Sequence, residues 1–179
     1  MNIAHIPPSY LPLNVPGLPV LYGPKGSWSA WVTALPLPHT ARFRGATARA
    51  AVRGYAESNR IADFGEVVAY FENDDGSGSA PSAAMIEAAR WLLENDAAFS
   101  SAVLEAILGD LPSLRAIEGS TVLADDAFRL PECWDEATLL PLVRLNNINL
   151  HPVAGAPYIG LDFSCAWEHE HGYGLMMAG

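Results

Sequence analysis

Between Ile159 and Cys165 the chain alternates without a break, with Ile159, Leu161, Phe163 and Cys165 on one side and Gly160, Asp162 and Ser164 on the other. In a strand, successive side chains point to opposite faces, so a slip of one residue would bury Asp162 and expose Phe163. Such a segment needs a sheet with one face covered and one face small or polar. Trp167-Glu168-His169-Glu170-His171-Gly172-Tyr173-Gly174 follows, and then the apolar run Leu175-Met176-Met177. Glycine admits positive φ and close backbone approach. The simplest geometry is a β-hairpin whose connection carries Glu168 to His171.

The same reasoning extends upstream. Residues 1–20 contain Pro7, Pro8, Pro12, Pro16 and Pro19, a density that excludes helix and central strand. They are expected to form an extended arm, with residues 21–179 as a single domain. Ser27–Ala34 alternates, with Trp28, Ala30, Val32 and Ala34 opposite Ser27, Ser29, Trp31 and Thr33, which predicts a strand. Glu66–Phe71 predicts another. Residues 42–53 carry Arg42, Arg44, Arg49 and Arg53 around Gly45, and periodicity does not choose between strand and helical turn. Residues 73–80, rich in Asn, Asp, Gly and Ser, predict a loop.

Helical periodicity begins after Pro81. Ser82 is a candidate N-cap, and Met85, Ile86, Ala89, Leu92 and Leu93 fall on one face. Asp96 is a candidate cap for a second helix with Phe99, Val103, Leu104, Ile107 and Leu108 on its face, stopped at Gly109. An αα-hairpin turning at Asn95-Asp96 is the expected arrangement. Residues 111–131 read as a connection, Asp135-Glu136 as the start of a short helix, and Leu142–Leu150 as a strand closed by His151-Pro152. The expected fold is α+β, an antiparallel β-sheet packed with an αα-hairpin.

Charge narrows the function. The net charge is −10, yet residues 1–60 hold six bases and one acid, while residues 87–136 hold eleven acids and three bases. An acidic body argues against general nucleic-acid binding, which depends on cations displacing counterions, and suits docking to a basic protein. The apolar runs are broken before they would span a bilayer, and the first ten residues lack the basic and apolar regions of a signal peptide. A cytoplasmic protein with no membrane partner is expected. Cys133 and Cys165 make no disulfide framework and read as packed thiols.

The C-terminal loop concentrates the chemistry. In extended backbone His169 and His171 share one side, Glu168 and Glu170 the other, and His151 or Asp162 can join either set. Two imidazoles and a carboxylate (His169, His171 and Glu170) make a workable first shell for zinc or ferrous iron. A His beside a Glu also serves as an acid–base pair. No third ligand is fixed by spacing, so hydrogen bonding within a structural turn competes with both readings, and no cofactor is required.

The segment Tyr158-Ile159-Gly160-Leu161-Asp162-Phe163-Ser164-Cys165-Ala166-Trp167-Glu168-His169-Glu170-His171-Gly172-Tyr173-Gly174-Leu175 resembles the C-terminal pattern of a bacterial family of domains of unknown function, the DUF6985 type. The residues that carry the resemblance are Cys165, Trp167, Glu168, Glu170, His171, Gly172 and Gly174. His169 lies outside that pattern. Pro81-Ser82 leading into a helix with Trp91, and the strand around Trp28 and Trp31, resemble the middle and start of the family. The resemblance implies a domain like those near bacterial polymorphic-toxin loci. It points to a non-enzymatic immunity protein that occludes a cognate toxin, with acidic side chains meeting a basic face and Trp134 or Tyr173 as aromatic anchors, though packing in the core is the more ordinary role for both. A metal-binding module or metal-dependent enzyme centred on Glu168–His171 is the alternative.

Overall fold

A computed structural model describes residues 6–24, 30–44, 62–73, 79–118, 135–153, 156–165 and 168–178. Seven strands form one sheet in chain order: β1 (Tyr10–Leu13), β2 (Leu21–Pro24), β3 (Trp31–Pro36), β4 (Glu66–Phe71), β5 (Val143–Val153), β6 (Ala156–Cys165) and β7 (Glu168–Ala178). All neighbours are antiparallel except β4 and β5. A parallel pair cannot be closed by a tight turn and needs a crossover. Helix α1 (Ala83–Glu118) supplies it, and the short α2 (Glu136–Leu139) precedes β5.

The α+β class is therefore correct, and two helical stretches do meet at Asn95 as expected, joined by a kink, not an αα-hairpin turn, within α1. Its only non-helical residue is Asn95, at φ −121° and ψ 21°. The Asn95 side chain donates to the Trp91 carbonyl at 2.9 Å, a local bond that occupies an acceptor the bent ladder releases. Asp96 does not cap a second helix. Its buried carboxylate accepts from the backbone N–H groups of His39 (2.7 Å) and Thr40 (3.0 Å) and from the Thr40 hydroxyl (2.6 Å). It thereby fixes the start of a 3-10 turn at Thr40–Arg44. Nor does Gly109 stop the helix, which runs through Pro112 because Leu111 is still buried beyond it. Ser82 does cap the start, accepting from the Met85 N–H at 3.3 Å.

One face of the sheet packs on α1. Phe71, Leu145, Ile148, Leu150, Leu161 and Phe163 meet Met85, Leu92, Phe99, Val103 and Ile107, all buried in one cluster. By length and composition Ala83–Leu114 is long and apolar enough to cross a membrane, contrary to expectation, but its apolar stripe is packed against the sheet. On the other face, here called the outer face, Ile6, Val32, Ala34, Ala62 and Val68 form a small second cluster over β3 and β4. The proline-rich segment contributes β1, an edge strand, where a residue without an N–H such as Pro12 is tolerated.

Candidate functional site

The C-terminal hairpin differs from the expected one in where it turns. Cys165 pairs with Glu168, so the connection is residues 166–167, and Glu168–His171 belongs to β7 itself. Phe163 pairs with Tyr173. Between those two pairs β6 has one residue and β7 has four, so β7 carries three extra residues in a bulge. The bulge ends at Gly172, with φ +70°. A Cβ there would lie 2.4 Å from the Phe163 carbonyl oxygen. Only glycine meets both demands, the left-handed conformation and the close approach. Gly174 is different: a Cβ there would meet nothing within 4 Å.

A second bulge faces the first across β6. Asn146 is the extra residue on β5, between the pairs Leu145–Phe163 and Asn147–Asp162. It is buried, and its side-chain amide and the Ser164 hydroxyl each donate to the other, at 2.9 and 3.2 Å. Asn147 donates to Asp162 Oδ2 at 3.2 Å. Asn147 Oδ1 is buried without a hydrogen-bond partner. The bulges re-aim polar side chains of β5 and β6 on the face away from α1.

That outer face carries an open groove of about 400 Å³ lined by Asn149, His151, Gly160, Asp162, Gly174 and Met176. Gly160 and Gly174 make its floor because neither has a side chain. Met176 is 59% exposed at its rim. His151 and Asp162, both candidates in the sequence, do share this groove, and Asn149 is a lining residue that the sequence did not single out.

The remaining site candidates separate. Cys165 is a buried thiol in the main core. Tyr173, weighed between interface anchor and core residue, is a core residue beside Phe163, with its hydroxyl donating to Asp110 Oδ2 at 3.2 Å. Burial first, then the negative charge of Asp110, push its pKa up to about 12. The side chains of Glu168, His169, Glu170 and His171 lie outside the described residues, as do Cys133, Trp134 and Trp167. Among the described residues no three His, Cys, Asp or Glu side chains converge to hold a metal ion.

The model of the family described as "Domain of unknown function (DUF6985)" matches residues 52–179. No curated protein and no solved structure matches the chain.

Proposed function

This chain belongs to the DUF6985 family, and on that premise we propose that it is a non-enzymatic protein-binding module of the immunity type, acting in the cytoplasm by occluding a cognate toxin. The observation that carries this reading is the outer-face groove of β5–β7. An exposed methionine stands beside a glycine floor, ringed by the hydrogen-bonding side chains of Asn149, His151 and Asp162. Apolar contact flanked by hydrogen-bonding groups is a feature of protein interfaces, and methionine adapts to irregular partner surfaces. The net charge of −10 favours a basic partner and speeds its encounter. The bulges adjoin the groove at the Asp162–Gly174 pair, so in this reading the Glu170-His171-Gly172 segment holds that end of it in place.

Co-expression tests it. Where a toxin gene adjoins this one, cells producing that toxin should survive when the protein is present. Equal killing with and without it would sink the reading.

A further inference from the structure

Two edges bound the sheet, and they differ. β1 is four residues long and contains Pro12. β7 runs for eleven residues, and from Gly172 to Ala178 it has neither charge nor proline. Among the described residues no strand pairs with β7 on its far side. Natural edge strands are usually blunted by prolines, charges, bulges or brevity, and the stretch of β7 from Tyr173 to Ala178 has none of these.

The direction of its backbone groups follows from one hydrogen bond. The Leu150 carbonyl accepts from the Glu72 N–H at 3.0 Å, so the main-chain groups of Leu150 face β4. Those of its neighbours Asn149 and His151 therefore face β6. Antiparallel partners exchange both bonds or neither. Asn149–Gly160 and His151–Tyr158 are thus bonded pairs, and Ile159, Leu161 and Phe163 turn to β7. Their partners Met177, Leu175 and Tyr173 turn back to β6. The N–H and C=O groups of Gly174, Met176 and Ala178 are left pointing away from the sheet, and all three residues are exposed. Leu175 and Met177, on the opposite face, are only partly buried. Leu175-Met176-Met177 thus offers apolar surface on both faces of an unpaired edge, a pattern proper to a strand with a neighbour.

Charge selects the occupant. Residues 145–179 contain no Lys or Arg and include Asp162, Glu168 and Glu170. Residues 91–114 of α1 also contain no Lys or Arg and include the exposed Glu94 and Glu105 and the half-buried Asp110, the last bonded to Tyr173 of β7. A second copy pairing its own β7 here would bring no Lys or Arg from residues 145–179 to this border. We infer that the edge of β7 from Gly174 to Ala178 receives an extended, Lys- or Arg-bearing segment of the protein partner as an eighth strand. Main-chain hydrogen bonds would supply affinity, and the acidic border would select basic side chains. This rests on the protein-binding reading and specifies its mode.

A short peptide alternating valine and lysine is the probe. On adding it, hydrogen exchange at the Gly174, Met176 and Ala178 amides should slow by roughly tenfold or more. An N-methylated version and a valine–glutamate peptide should have no such effect. Ala178→Pro removes one outward N–H while keeping the fold, checked by near-ultraviolet circular dichroism, and should weaken peptide binding. Absence of protection, equal protection by the acidic peptide, or protection without peptide in a dimer would each overturn the inference. A toxin that still binds Ala178→Pro but not Gly174→Lys would overturn edge pairing while leaving the groove reading intact. A toxin that binds both variants unchanged would overturn both.

Discussion

Replacing Gly172 by alanine isolates what the Glu170-His171-Gly172 segment does for the fold. Two costs add. Left-handed backbone at φ +70° costs an alanine roughly 1–2 kcal/mol. A Cβ placed 2.4 Å from the Phe163 carbonyl oxygen must also force β6 and the bulge apart, and overpacking of this kind costs about 1–3 kcal/mol. Gly172→Ala is therefore expected to lose about 3 kcal/mol, which lowers Tm by about 6–12 °C for a chain of this size. Gly172→Asn relieves part of the backbone cost but keeps the clash, so it should fall between alanine and wild type. Gly174→Ala is the control: its Cβ enters open space, and stability should hold or rise by about 0.4–1 kcal/mol. Urea unfolding of the four proteins gives the comparison. A loss below about 1 kcal/mol for Gly172→Ala, or equal losses at both glycines, would refute the bulge argument.

Three other outcomes follow from the structure. Asp96→Ala should cost about 3–5 kcal/mol in urea unfolding, because it strands two backbone N–H groups and a hydroxyl in a buried place; a loss near zero would show that the anchor is dispensable. The Tyr173 pKa is raised to about 12 from its usual 10, so the unfolded chain releases that proton first. Stability should then fall as pH rises from about 10 to 12, and Tyr173→Phe should flatten that fall, whereas parallel losses in both proteins would contradict the assignment. Added Zn²⁺ should leave Tm unchanged, and a rise abolished by His171→Ala would instead favour a metal centre.

Much of the fold was legible where side-chain pattern and contact lie on the same short segment. The alternation in Ile159–Cys165 predicted β6 with its covered face, and the helical stripe from Met85 to Ile107 predicted which side of α1 meets the sheet. The break at Asn95 was legible, but the use made of Asp96 was not, for a non-local reason. Both residue types favour turns and caps, but Asp96 is recruited by backbone groups at His39 and Thr40, more than fifty positions away. Gly109 and Pro112 weaken a helix locally, and burial of Leu111 overrides them. The parallel join of β4 to β5 was hidden because strand direction is set by the crossover and not by composition. The groove was half visible. His151 and Asp162 were noticed for their chemistry, but the two bulges that shape the surface beside them depend on cross-strand register.

The most direct test of the proposed binding is a calorimetric titration of a basic candidate toxin, in a catalytically inactive form, into wild-type protein and Gly174→Lys. A Cβ at Gly174 meets nothing within 4 Å, so the substitution puts a long side chain into the groove and cancels the charge of Asp162 without disturbing the sheet. Saturable binding to wild type is expected, with a loss of at least roughly tenfold in the variant, about 1.4 kcal/mol. Equal affinity for both proteins, or no binding to either, would contradict it.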